Sequence, residues 1–126
     1  MSTQMTPIGP NDSQQGKPIE IATPNNVGDV QEISVEYDEI NDGVIVTPPE
    51  VAKGKIVRFK DPKGGKLRIE FLCPNGKETD PVLDSEFYTL VEGGTYHFKC
   101  FFTRPGASRE VSPKTGGVID VLPRRP

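Results

Sequence analysis

Cys100 and His97 are the side chains of this sequence best suited to nucleophilic or metal chemistry, and His97 is the only histidine. A Cys–His dyad needs its sulfur and nitrogen within about 2.6–3.2 Å. The two residues are three positions apart, and an odd separation in a regular strand places side chains on opposite faces. The spacing therefore argues against a dyad, and a Ser-His-Asp triad has no other histidine to draw on. We predict that the protein is not an enzyme and has no catalytic residue.

Cys100 could instead be a core residue, a redox or soft-metal residue, or one half of a disulfide. Free cysteine is among the most often buried residue types, whereas reactive cysteines lie in electropositive, partly exposed places. Lys99 and Arg104 are near Cys100 in sequence, and Cys73 is the only other cysteine. We predict a buried Cys100, with its use as a metal ligand, redox use and a Cys73–Cys100 bond as the alternatives.

An acidic group precedes a predicted hairpin turn and consists of Glu36, Asp38, Glu39 and Asp42. Carboxylates are calcium ligands, but an EF-hand loop would place a glutamate eleven positions after Asp38, where Pro49 stands. We therefore interpret the group as a solvated turn and predict no metal site there.

Basic residues are dense between positions 53 and 68, and four of them are predicted to share one outward face: Arg58, Lys60, Lys66 and Arg68. Such a stripe could contact phosphates, but it lacks interleaved aromatics for base stacking and the net charge is −3. Nucleic acid is therefore not the expected partner. One of Phe101 and Phe102 must face away from the core and could contact a partner protein. These six residues are the predicted interaction residues.

The elements that would position these residues are short strands. Apolar and polar residues alternate in several segments, the longest being Thr95 to Phe102. Asp42-Gly43 between two apolar runs is a strong hairpin signal, because a primed turn needs positive φ. No window shows a convincing helical period. Seven or so strands with turn signals every 8–12 residues or so are typical of a β-sandwich or barrel.

The polar and apolar residues are unevenly distributed along the chain. All nine aromatic residues lie from Tyr37 onward, and the first 30 positions are rich in Pro, Asn, Gln, Ser and Thr. Such a segment buries too little apolar surface to offset its ordering entropy. We predict a flexible polar arm at 1–30, one folded domain at 31–123 and a short basic tail at 124–126. No secretory signal or membrane span is visible, so we predict a cytoplasmic protein, without excluding export.

The order of three motifs resembles the cupredoxin family over about residues 44–122. The run VIVTPPEVAKGKIVRFKDP is similar to the opening strands of that family, FYTLVEGGTYHFKCFFTRPG to its closing half, and GGVIDVLP to its last strand. The resemblance implies an all-β Greek-key β-sandwich. An immunoglobulin-like sandwich shares much of this pattern and is the alternative.

The same resemblance implies a copper site of two histidines, one cysteine and usually an axial methionine. Only Cys100 matches. Gly65 or Lys66 stands where the first histidine is expected and Ala107 where the second is, while Met1 and Met5 lie far from the site in sequence. We therefore expect a cupredoxin-like domain that lacks the type 1 copper ligands and has no cofactor.

These observations together favour a non-catalytic sandwich used for protein interaction or as a structural component, with another protein or a second copy as partner and no membrane contact. Two other functions remain as alternatives. One is a metal- or redox-handling protein that uses Cys100 in a non-standard site, and the other is a secreted or surface adhesion module.

Overall fold

The computed structural model describes residues 18–24 and 29–123. Within them the chain forms ten strands: β1 (Ile19–Ala22), β2 (Gln31–Asp38), β3 (Gly43–Thr47), β4 (Glu50–Ala52), β5 (Ile56–Lys60), β6 (Lys66–Leu72), β7 (Val82–Leu83), β8 (Phe87–Leu90), β9 (Gly94–Thr103) and β10 (Gly117–Leu122). No helix in these residues is long and apolar enough to cross a membrane.

The strands form two five-stranded sheets. The first sheet has the order β1-β8-β5-β2-β3, and the second has the order β4-β10-β9-β6-β7. Most pairs are antiparallel, while β2 with β5 and β4 with β10 are parallel. Neighbours are mostly non-consecutive and the chain crosses repeatedly between sheets, as in Greek-key sandwiches. The predicted all-β sandwich is confirmed.

The core lies between the two sheets because each central strand turns alternate side chains inward. Phe59 of β5 and Phe71 of β6 meet across the gap with ring centroids 5.6 Å apart. Tyr96 of β9 packs edge-on against Phe71 at 6.0 Å. Aromatic contacts in such arrangements stabilise a core beyond their area alone.

The predicted hairpin after β2 is confirmed. Strands β2 and β3 pair antiparallel from Ser34 with Thr47 to Asp38 with Gly43. Asp42 has a φ of 51°, in the left-handed region that this turn requires and that aspartate tolerates better than most residues.

The predicted arm at 1–30 is wrong for Ile19–Ala22, which form β1 and pair with β8 at the edge of the first sheet. The segment is held by backbone pairing with β8 and not by burial of a large apolar face, since Ile19 is buried while Glu20 and Ile21 are exposed. Residues 1–17 and 25–28 of that predicted arm, and the predicted tail at 124–126, lie outside the described residues.

Candidate functional site: the Cys100 strand and the outer face of the second sheet

Cys100 lies in the core, as predicted. It sits on β9 opposite Ile69 of β6 and is 1% exposed. Its neighbours on the inward face of the same strand, Phe98 and Phe102, are also buried. Burial raises the pKa of the Cys100 thiol, and the negative charge of Asp61 raises it further. A neutral, enclosed thiol is a poor nucleophile and a poor metal ligand.

Cys73 and Cys100 are both free thiols. Cys73, which follows β6, is buried as well, and burial raises its pKa to about 12. The alternative, a Cys73–Cys100 disulfide, is therefore not formed in this structure.

His97 points away from Cys100, as the strand period predicts. It is exposed on the outer face of the second sheet, whereas Cys100 faces inward. No Cys–His dyad forms.

The positions that correspond to the copper ligands do not form a donor set. An added Cβ at Gly65 would lie 2.4 Å from the carbonyl oxygen of Thr103, so no side chain fits there without a shift. The nearby Asp61 is buried, and its carboxylate accepts the Lys63 amide at 2.9 Å. Ala107 is exposed in a turn closed by its amide and the Arg104 carbonyl at 3.0 Å. Within residues 18–24 and 29–123, no three His, Cys, Asp or Glu side chains are grouped to hold a metal.

The prediction that the four basic residues share one outward face is wrong. Arg58 and Lys60 lie on β5 of the first sheet, while Lys66 and Arg68 lie on β6 of the second. The loop after Lys60 carries the chain from one sheet to the other, so the two outward pairs face opposite sides of the sandwich. Arg58 is also held by Glu32 at 2.9 Å.

Arg68 and Phe101, two predicted interaction residues, are engaged with each other. The Arg68 guanidinium lies 4.0 Å from the centroid of the Phe101 ring. The same guanidinium donates to Glu110 at 2.9 Å and to Glu70 at 3.0 Å. These contacts cover the ring with a guanidinium that is itself paired with two carboxylates, rather than leave the ring free for a partner.

The prediction that Phe102 is an interaction residue on the surface is wrong. It is 3% exposed and stacks on Tyr37 with ring centroids 5.7 Å apart. Strand alternation places it on the Cys100 face, which left Phe101 as the outward member of the pair.

A groove that the sequence reasoning missed crosses the outer face of the second sheet and has a volume of about 410 Å³. Its floor is a row of three paired residues, Leu72 on β6, His97 on β9 and Val118 on β10. Lys99 lies in the next row opposite Glu70, and Glu78 borders the groove beyond Leu72. Leu72 is 45% exposed and Val118 is 43% exposed. We call this feature, with these six residues, the groove.

Backbone at the start of β10 forms the remaining boundary of the groove. An added Cβ at Gly116 would lie 1.9 Å from the carbonyl oxygen of Phe98, and one at Gly117 would lie 2.3 Å from the Phe98 ring. The glycine pair therefore allows β10 to approach β9 closely. This role was invisible in the sequence.

The acidic turn is well ordered by internal hydrogen bonds. Both oxygens of Asp38 accept from the turn, including the Asn41 side chain at 2.7 Å, and these bonds lower the pKa of Asp38. Tyr37 donates to Asp42 at 2.8 Å, and Arg104 pairs with Glu39 at 2.6 Å.

At the apex of this turn Ile40 is 94% exposed. We call residues 38–42 the acidic tip. No group of metal-ligating side chains is found in it or elsewhere in the described part of the chain.

Two solved structures of amicyanin, a cupredoxin, are similar to this chain. One is a reduced Cu(I) form of a mutant at pH 4, with a TM-score of 0.42, and the other is an oxidised mutant, with a TM-score of 0.43. Each is 17% identical and covers 83% of this chain and 99% of the amicyanin chain. No family model and no curated protein matches.

Proposed function

We propose that this protein is a non-catalytic β-sandwich that acts by binding another protein chain and does not carry a blue-copper centre. The observation that carries the proposal is the groove. Its floor holds two partly exposed aliphatic side chains, Leu72 and Val118, on either side of His97. Aliphatic side chains grouped on an outer sheet face, with charged groups around them, are a feature of protein contact surfaces.

The donor chemistry supports the second half of the proposal. A trigonal copper site needs two imidazoles beside the thiolate, and the whole sequence has one histidine, which faces away from Cys100. Burial keeps the Cys100 thiol neutral, so forming a thiolate there costs additional free energy.

A matched pair of variants tests protein binding. Val118→Glu places a charge in the groove, and Ile45→Glu places the same charge on an exposed residue of β3 in the first sheet. In affinity purification from the native source, we expect proteins that co-purify with the wild type and with Ile45→Glu to be lost with Val118→Glu. The proposal fails if the captured proteins are the same for all three forms.

Copper titration tests the absence of the metal centre. We expect no visible thiolate-to-copper absorption on adding Cu(II) to the folded protein, and the same spectra for wild type and Cys100→Ser. A band that appears in the wild type and disappears in Cys100→Ser would overturn this part of the proposal.

A further inference from the structure

The long loop between β9 and β10 lies on the surface, and its residues 104–112 are all exposed. An isolated backbone bridge attaches its middle to β9. The Val111 amide donates to the Phe102 carbonyl at 2.7 Å, and the Phe102 amide donates to the Val111 carbonyl at 2.8 Å. A bridge without neighbouring strand pairs opens locally more readily than a core strand does. We call the loop, residues 104–116, the strap.

The acidic tip holds both ends of the strap. Arg104 at the start of the strap pairs with Glu39 at 2.6 Å, and the Thr115 amide near its end donates to the Asp42 carbonyl at 3.1 Å. The middle of the strap is attached instead to the second sheet.

Arg68 of β6 makes the side-chain attachment at the middle of the strap. Its guanidinium meets the Glu110 carboxylate through two hydrogen bonds, 3.0 Å from Nε and 2.9 Å from Nη2. The guanidinium also lies 4.0 Å from the centroid of the Phe101 ring. A bidentate pair that is also stacked on an aromatic ring is stronger and more specific than a typical surface ion pair.

The remaining terminal nitrogen of Arg68 determines the partner of Glu70. Nη1 of Arg68 donates to the Glu70 carboxylate at 3.0 Å. Glu70 lies directly opposite Lys99 in the pairing of β6 with β9, and opposite charges in that position attract each other. None of the ion pairs in the described part of the chain nevertheless includes Lys99. Arg68 therefore holds the carboxylate best placed to neutralise Lys99, while Glu78 borders the groove beyond the other edge of β6.

We propose that Arg68 is a latch with two effects: it fastens the strap to the second sheet, and it withholds Glu70 from Lys99 so that the groove presents an unpaired ammonium group. Loss of the latch loosens the strap and lets Glu70 pair with Lys99. It also uncovers Phe101, the next outward residue of β9 after Lys99. This inference rests on the proposed function, because it names what controls the charge of the proposed binding surface.

Amide hydrogen exchange of the full chain, followed residue by residue by NMR, measures the attachment of the strap. Arg68→Gln removes the bidentate pair and the ring contact, so we expect the amides of Val111 and Phe102 to exchange about fivefold faster or more. The amides of β2, in the other sheet, should keep their wild-type rates. Arg68→Lys keeps the charge but cannot donate the two parallel bonds, so exchange at Val111 should again be faster than in the wild type.

Arg58→Gln is the matched control on the first sheet. Arg58 also pairs with a carboxylate, that of Glu32 at 2.9 Å, and lies 5.8 Å from the centroid of the Phe87 ring. Its loss removes a similar exposed arginine and should leave exchange in the strap unchanged.

Cross-linking with a water-soluble carbodiimide measures the partner of Glu70. The reagent activates a carboxylate, which forms an amide with an amine in contact with it, and the reagent leaves as a urea. We expect the yield of the Glu70–Lys99 amide, measured by mass spectrometry of peptides, to rise about threefold or more in Arg68→Gln. Lys63 and Glu36, which lie 3.8 Å apart, are the internal reference and should cross-link equally in both forms.

Glu110→Ala separates the two effects of the latch. It removes the attachment of the strap but leaves Arg68 paired with Glu70, so exchange at Val111 should become faster without a rise in the Glu70–Lys99 cross-link. The proposal is overturned by unchanged exchange at Val111 in Arg68→Gln, by an unchanged cross-link in Arg68→Gln, or by a cross-link that rises equally in Glu110→Ala.

Exchange and cross-linking need no binding partner, so the latch and the proposed function fail separately. If both measurements respond as expected but Val118→Glu leaves the captured proteins unchanged, the latch stands and the protein-binding function is wrong. If Val118→Glu loses captured proteins but Arg68→Gln alters neither exchange nor cross-linking, the binding function stands and the latch is wrong.

Discussion

Replacement of Cys100 by serine tests whether this cysteine serves packing. The side chain is 1% exposed and faces Ile69 within the aromatic core. A hydroxyl placed in such surroundings without a partner costs about 1–3 kcal/mol. The Phe101 amide lies near enough to lower the thiol pKa by hydrogen bonding, and it can donate to a serine oxygen. This bond offsets part of the penalty, so we expect Cys100→Ser to lower the free energy of unfolding by about 1–2 kcal/mol.

Two further variants separate polarity from volume. Cys100→Ala removes the sulfur without adding a hydroxyl, and we expect a loss of about 1 kcal/mol from the lost transfer energy and the small cavity. Lys99→Ser changes the adjacent, exposed residue of the same strand, and we expect a change within about 0.5 kcal/mol.

Urea unfolding under reducing conditions measures these differences. The midpoint gives the stability change, provided that the slope is the same for all forms. A Cys100→Ser protein as stable as the wild type would refute the reasoning, because a hydroxyl would then be accommodated as well as a thiol. A serine variant that is more stable would point to a site under functional strain.

Three further predictions follow from buried groups. Tyr96→Phe removes a buried hydroxyl that donates to the Glu92 carbonyl at 2.5 Å and lies 3.2 Å from the Pro18 carbonyl. We expect the free energy of unfolding to fall by about 1 kcal/mol and amide exchange in β1 to become faster. Burial raises the pKa of Cys73 to about 12 from an ordinary 9.0, so the neutral thiol stabilises the fold below about pH 9. The free energy of unfolding, measured at a series of pH values, should lose this contribution as the pH rises from about 9 to 12. Gly117→Ala drives a methyl group into the Phe98 ring, and calorimetry should show a loss of about 1–3 kcal/mol, whereas an unchanged melting temperature would contradict the close approach of β10.

The central strands could be predicted from the sequence because their signal is local. Tyr96, Phe98, Cys100 and Phe102 alternate with polar or half-buried residues, and this period is sufficient to assign the inward face of β9. The hairpin after Asp38 was equally accessible, since Asp42-Gly43 between two apolar runs signals a turn. Only Asp42 has a positive φ, however, and Gly43 already pairs with Asp38 as the first residue of β3.

The edge strands could not be predicted in this way. β1 has four residues and follows a polar segment, so its two isoleucines do not make a convincing pattern. Its position depends on pairing with β8 and on the Tyr96 hydroxyl near the Pro18 carbonyl. These contacts join residues far apart in sequence, and a strand held by them has little signal of its own.

The basic residues show a second limit of local patterns. Alternation correctly turns Arg58 and Arg68 outward, but it does not show which sheet carries each strand. The loop between them changes sheets, and this change moves two similar side chains to opposite sides of the molecule. A predicted charge stripe therefore needs strand order as well as strand period.

The alternation of side chains along β9 that prevents a Cys–His dyad also places His97 in the groove. An odd separation sends Cys100 into the core and His97 outward. Once outward, His97 lies in the register row that joins Leu72 to Val118, and no pattern within one strand could reveal that row. The inward residues of β9 account for stability, so any function carried by this strand depends on its outward residues. Substitutions at His97 or Lys99 should therefore affect binding with little effect on unfolding, and substitutions at Cys100 should do the reverse.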